Sequence, residues 1–190
     1  MNLPNKLTLA RIALVPVFML CASHPFHPAW MLAAALVFTL ASLTDFLDGY
    51  LARRWNMVTD FGKFADPLAD KLLTTTAFLY MMTMSACSPV VLAVILAREF
   101  AVSGVRMLAA AQNRVVAANL WGKVKTVLQM LTIIVFYFGV ALEAWQGSMG
   151  VSVYLSQIVG YALCWLVAAV TLLSGVIYLW QNRDCFMRAK

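Results

Sequence analysis

Between Trp30 and Ser85 the chain reads WMLAAALVFTLASLTDFLDGYLARRWNMVTDFGKFADPLADKLLTTTAFLYMMTMS. Two apolar runs, Trp30–Tyr50 and Ala65–Ser85, flank a polar connection at Arg53–Lys63. Each run is close to the roughly 20 residues that a helix needs to cross the hydrocarbon of a bilayer. Neither alternates with a period of two, so a membrane β-barrel is not indicated. Five of the eight acidic residues of the whole chain, Asp45, Asp48, Asp60, Asp66 and Asp70, fall inside this one stretch. The fold is therefore read as membrane helices, and the chemistry is sought where the carboxylates gather.

The same reading extends in both directions. Further apolar runs lie near Leu7–Ala22, Pro89–Ala111, Val124–Trp145 and Val151–Trp180, separated by turn signals such as His24-Pro25-Phe26-His27-Pro28, Cys87-Ser88-Pro89 and Gln146-Gly147-Ser148. The expected architecture is an all-α integral membrane bundle of six transmembrane helices, forming one catalytic domain over residues 1–190 with no room for an appended soluble domain. Composition agrees: 63% of the 190 residues are hydrophobic, 12% are charged and the mean hydropathy is +0.83. A water-facing domain carries roughly 25% charged residues, so soluble enzymes, secreted disulfide scaffolds and disordered tails are excluded. Cys21, Cys87, Cys164 and Cys185 make no metal-ligand spacing and read as isolated apolar or loop residues. Arg11 and Pro16 interrupt the first apolar run, so it is expected to be retained as a span rather than cleaved as a leader.

Basic residues accumulate on the cytoplasmic side of membrane proteins. Lys6 and Arg11 stand at the start of the first span; Arg53, Arg54, Lys63 and Lys71 surround the second connection; Arg106, Arg114, Lys123 and Lys125 surround the fourth; Arg183, Arg188 and Lys190 follow the sixth span. Only Arg98 remains of the 14 Lys and Arg residues, and it lies inside a span. The opposite connections hold Glu143, His24 and His27, the histidines reading as loop residues. Both termini are expected on the cytoplasmic side of the membrane. Trp30, Trp145 and Trp180 sit near span ends, as an interfacial aromatic belt requires. The net charge of +6 is divided among four juxtamembrane sites, which does not suit nucleic acid and does suit anionic lipid headgroups.

Asp45 and Asp48 are spaced i, i+3, and Asp66 and Asp70 i, i+4, so a helix places each pair on one face. A short connection should make the two helices antiparallel neighbours, with Pro67 in the first turn of the second. Four converging carboxylates cannot all ionise without compensation. Lys71 and Arg53 supply part of it; hard oxygen ligands without His or Cys favour Mg²⁺, Mn²⁺ or Ca²⁺ for the rest. A two-metal site suits phosphoryl or phosphodiester chemistry. Gly49, Ala52 and Gly62 open space beside the aspartates, and the planar donors of Arg53 suit a phosphate.

Read in full, Asp45-x2-Asp48-Gly49-x2-Ala52-Arg53-x8-Gly62-x3-Asp66-x3-Asp70 resembles the signature of the CDP-alcohol phosphotransferase family at all eight of its fixed positions. The resemblance implies a six-helix membrane enzyme, usually a homodimer, that transfers a substituted phosphate from a CDP-linked lipid to an alcohol and releases CMP. It implies two Mg²⁺ ions, replaceable by Mn²⁺, with Asp45, Asp48 and Asp66 as ligands of one and Asp45, Asp66 and Asp70 as ligands of the other. By the same resemblance Asp70 is the catalytic base, and Gly49, Arg53 and Thr59 contact the CDP part. Pro4-Asn5-x2-Thr8-x2-Arg11 is similar to the segment that family members place beside the nucleotide, which adds Asn5 and Thr8, although a Pro-Asn turn with Thr at a helix head is also an ordinary cap.

The signature reads the donor and is silent about the alcohol. Leu3–Thr8, Asp66–Leu72, Ala97-Arg98-Glu99 with Ser103–Arg106, and Gly122–Thr126 with Gln129 are similar to the branch of the family that joins CDP-diacylglycerol to glycerol 3-phosphate. Phosphatidylglycerol, inositol phosphate and serine stand as alternative acceptors. An ion pathway or a silent lipid-binding protein are the readings from other classes; intramembrane carboxylates mark cation routes too. Arg98 lies nine positions after Pro89, about 14 Å deep at 1.5 Å per residue, and a charge at that depth is functional by default. Two readings stay open there. Arg98 and Glu99 form a structural network with another helix, or Arg98, Arg106, Lys123 and Lys125 form a basic pocket for the acceptor's phosphate, which the excess of basic groups favours.

Overall fold

The computed structural model describes residues 3–25, 27–54, 60–111, 120–146 and 152–183, with side chains for 7–25, 27–44, 68–109, 120–146 and 155–183. Six helices and no strand occur among them: α1 Leu3–Ala22, α2 Pro28–Arg54, α3 Asp60–Thr83, α4 Pro89–Ala111, α5 Leu120–Trp145 and α6 Ser152–Gln181. Local chemistry sets several ends. Pro28 and Pro89 open α2 and α4, where a missing N–H costs nothing. The Ser88 hydroxyl accepts from the Val90 amide at 3.3 Å and caps α4. At the end of α3, Ser85 adopts a left-handed backbone (φ 59°), while the amides of Ser85 and Ala86 donate to the carbonyls of Met82 and Met81 at 3.0 and 2.9 Å. That pair of bonds satisfies the last carbonyls of the helix and turns the chain directly into the capping serine of α4.

The principal packings are α5 on α6, α1 on α2, α2 on α5, α4 on α6 and α1 on α3. Among the described residues α2 and α3 are in contact with each other, less extensively than α1 is with either, so α1 packs along both. Small residues explain the close packing: Ala34, Ala35, Ala41 and Ala77 are fully buried, and small side chains let helix backbones approach in a membrane. Phe18 fills the centre, with Tyr137, Phe38 and Tyr80 at ring distances of 5.3, 6.1 and 6.3 Å, so α1, α2, α3 and α5 share one aromatic core. The buried Tyr137 hydroxyl donates to the Ala77 carbonyl at 3.0 Å.

The helices extend beyond the apolar runs. α3 begins at Asp60 rather than Ala65, so Pro67 is its eighth residue and not in its first turn, as the sequence had suggested. α1 begins at Leu3, which moves Arg11 two turns inside, where it is 1% exposed instead of standing at the water boundary. Outward faces are apolar on every helix, as at Leu20, Leu40, Leu79, Phe100, Leu142 and Val176. Soluble monomers do not cover themselves in this way. Leu120–Trp145 and Leu155–Gln181 are long and apolar enough to cross a membrane, with shorter apolar helices at Leu7–Ala22 and Pro28–Thr44.

Candidate active site

α2 remains helical through Arg54 and α3 from Asp60, so Asp45, Asp48, Gly49 and Arg53 lie on the last turns of one helix and Asp66 and Asp70 on the first turns of the other. The side chains of Asn5, Asp45, Asp48, Arg53 and Asp66 lie outside the described residues, as does Thr59 altogether. Asp70 is partly exposed, and the Thr74 hydroxyl donates to its backbone carbonyl at 2.9 Å. Thr8 and Arg11, one turn apart on α1, are each 1% exposed. A guanidinium is thus carried into the bundle by the helix that packs on both aspartate-bearing helices.

A second polar cluster adjoins Asp70. Glu99 of α4 accepts from the Lys125 ammonium of α5, and the same Oε1 atom lies 3.4 Å from NH1 of Arg98. Lys125 is 2% exposed, the Arg98 side chain 10% and the Glu99 side chain 21%. Asp70 is near enough to act electrostatically on Lys125, and Lys71 on Glu99. Lys71 donates to the Ser103 hydroxyl and lies 5.7 Å from the Phe100 ring centroid, so its charge is turned toward α4. Arg98 and Lys125 therefore meet on one carboxylate with Lys71 in electrostatic reach of it, and the surplus of positive charge suits an anion such as a phosphate monoester.

Arg98 reaches this position because α6 makes room. A Cβ on Gly175 would stand 2.9 Å from Cγ of Arg98, and beside them α4 and α6 form a half-open apolar pocket of about 270 Å³ that Arg98 lines. Of the basic residues singled out in the sequence, Arg98 and Lys125 come together. Arg106 is exposed, 5.9 Å from the ring centroid of Tyr178 on α6, and Lys123 is exposed at the head of α5. Sequence reasoning paired Glu99 with Arg98 and missed Lys125 as its closer partner, together with Lys71–Ser103, Gly175 and the burial of Arg11. The one available signal was spacing: Ser103 follows Glu99 by one turn, and Lys71 adjoins Asp70. No local pattern tells which neighbouring helix such groups meet.

Comparison with known proteins bears on this arrangement directly. A protein of Bacillus subtilis (strain 168) is 47% identical over 143 residues, covering 70% of this chain and 74% of its own. One of Rickettsia bellii (strain RML369-C) is 40% identical over 177 residues, 93% of each chain, and one of Salmonella typhimurium is 37% identical over 189 residues, covering 94% and 93%. All three carry the name CDP-diacylglycerol–glycerol-3-phosphate 3-phosphatidyltransferase. Residues 1–178 match the family model described as CDP-alcohol phosphatidyltransferase. That span takes in both aspartate pairs and the whole basic cluster, and this chain belongs to the CDP-alcohol phosphatidyltransferase family.

Proposed function

We propose that this protein transfers the phosphatidyl group of CDP-diacylglycerol to glycerol 3-phosphate, giving phosphatidylglycerophosphate and CMP. The observation that carries the reading is the Arg98–Glu99–Lys125 cluster, two cations on one carboxylate within electrostatic reach of the residue assigned as base. The names of relatives 37–47% identical support the same donor and acceptor.

Mg²⁺ fits the donor set on α2 and α3: four carboxylates at helical spacing with no imidazole or thiolate among them are hard oxygen ligands. Asp45, Asp48, Asp66 and Asp70 would hold two ions, which neutralise phosphate oxygens and the charge that develops on displacement. Gly49, Arg53 and Thr59, with Asn5 and Thr8 of α1, hold the CDP part. Arg98 and Lys125 bind the acceptor's phosphate, and the exposed Arg106 and Lys123 draw it in from the cytoplasm. Asp70 takes the proton from the acceptor's primary hydroxyl. The freed oxygen attacks the phosphorus that bears diacylglycerol, a new P–O ester forms, and the bond to CMP breaks. Arg53 stabilises the departing CMP.

The distribution of Lys and Arg supports six spans with both termini cytoplasmic, the bacterial relatives support an inner membrane, and the family resemblance supports a homodimer. Purified protein with CDP-diacylglycerol and a panel of alcohols tests the reading through CMP release. Glycerol 3-phosphate should be the preferred acceptor. Turnover with phosphatidylglycerol, inositol phosphate or serine in its place would overturn the assignment.

A further inference from the structure

Two cations from two helices, Lys125 of α5 and Arg98 of α4, converge on a single oxygen atom, Oε1 of Glu99. A buried ammonium needs a counter-ion whether or not substrate is present, because an unpaired charge removed from water is strongly destabilising. The two sides of the bridge differ in freedom. Lys125 is 2% exposed and enclosed by the bundle, whereas the Glu99 side chain is 21% exposed and is the more open of the two. Lys71, the third cation acting on Glu99, is already engaged by Ser103.

We infer that Glu99 is a stand-in for the acceptor's phosphate: its Oε1 occupies the position of a phosphate oxygen on Lys125 and Arg98, and an incoming phosphate monoester displaces it. Glu99 then swings aside within electrostatic reach of Lys71, and the two cations exchange one anionic partner for another without either being left bare. The consequence is a threshold on acceptor charge. A neutral alcohol offers nothing to replace the carboxylate and leaves the bridge shut; a dianion outcompetes it. Glu99 is in this sense a specificity-determining residue that acts through Lys125 and Arg98 rather than on the reacting atoms. The inference rests on the proposed use of glycerol 3-phosphate.

Glu99→Gln removes the competing charge and nearly keeps the shape. It should lower the KM for glycerol 3-phosphate, and the inhibition constant of inorganic phosphate as a competitor, by about tenfold each, corresponding to about 1.4 kcal/mol. The KM for CDP-diacylglycerol should stay unchanged. In a Lys125→Gln background, where Glu99 competes only at Arg98, the same substitution should have a clearly smaller effect on both constants, a coupling that general loosening of the bundle would not produce. Should Glu99→Gln fail to fold, Glu99→Asp retains the charge on a shorter arm that meets Lys125 less well, and it should lower the same two constants in the same direction. A raised or unchanged acceptor KM in a folded Glu99 variant overturns the inference, as does an equal effect with and without Lys125. A wild-type protein that neither uses glycerol 3-phosphate nor is inhibited by phosphate overturns the proposed function instead.

Discussion

Replacing Gly175 by Ala tests how α6 positions Arg98. The added Cβ would stand 2.9 Å from Cγ of Arg98 and 3.8 Å from its Cβ. Carbon atoms pack best at about 3.5–4.0 Å, so the shorter contact is compressed by roughly 0.6–1.1 Å. Relief is restricted, because Cγ lies close to the α4 backbone and the far end of the side chain is held by Glu99 at 3.4 Å. Overpacking of this kind costs about 1–3 kcal/mol. Alanine recovers about 1 kcal/mol of helix propensity over glycine, which leaves a net destabilisation of about 0–2 kcal/mol. The guanidinium is forced off its position, and a hydrogen bond to a charged group is worth about 1.5–3 kcal/mol. Loss of about half of that, roughly 0.75–1.5 kcal/mol, raises the acceptor KM about 4- to 12-fold. Gly104→Ala is the matched control: nothing lies within 4 Å of its Cβ, so it should be neutral or up to about 1 kcal/mol stabilising, with both KM values unchanged. Thermal unfolding in one detergent and initial rates of CMP release, with each substrate varied in turn, measure both quantities. If Gly175→Ala and Gly104→Ala behave alike in melting temperature and acceptor KM, the close passage of α6 over Arg98 does not position that residue.

Other outcomes follow from the site and the core. Asp70→Asn should lower kcat by about 10²–10⁴-fold, the usual worth of general base catalysis, while CDP-diacylglycerol still binds at high metal concentration; loss of binding with normal turnover would make Asp70 a ligand only. Chelation of divalent ions should abolish CMP release and added Mg²⁺ or Mn²⁺ restore it, whereas full activity after exhaustive chelation would refute the metal reading of the aspartates. Lys125→Gln should raise the acceptor KM by an amount equivalent to about 1.5–3 kcal/mol and leave the donor KM nearly unchanged; equal changes in both, tracking a lowered melting temperature, would reduce Lys125 to a structural tie. Tyr137→Phe removes the 3.0 Å bond to the Ala77 carbonyl and should cost about 1 kcal/mol of stability with unaltered kinetics of the folded protein, a prediction that an unchanged unfolding midpoint would refute.

What the sequence determined by itself was local or compositional. Apolar runs of spanning length specify six helices because a backbone in lipid must satisfy its own hydrogen bonds. The i, i+3 and i, i+4 aspartates carry the family signature because helical periodicity is a property of a few consecutive residues. Pro89 marks the head of α4 for the same local reason, and the helix begins there. Where the reading depended on the end of an apolar run it went astray: α3 continues five residues before Ala65 and α1 four before Leu7, because polar residues sustain a helix beyond the apolar segment, and Arg11 and Pro67 moved inward with them.

Only the tertiary structure decided which helices meet. The short Arg53–Lys63 connection suggested that α2 and α3 are neighbours, and α1 packs along both as well, since contact follows from the fit of faces that are distant in sequence, such as Phe18 with Phe38, Tyr80 and Tyr137. Glu99 and Lys125 are 26 residues apart, Lys71 and Ser103 are 32 apart, and Gly175 receives the stem of Arg98 from another helix. Such pairings depend on the rotation and depth of one helix against its neighbour, and neither is encoded in the period of either helix alone. The charges of the candidate acceptor site could therefore be counted in the sequence, but which of them meet on Glu99, and which remain at the surface with Arg106 and Lys123, was decided by packing.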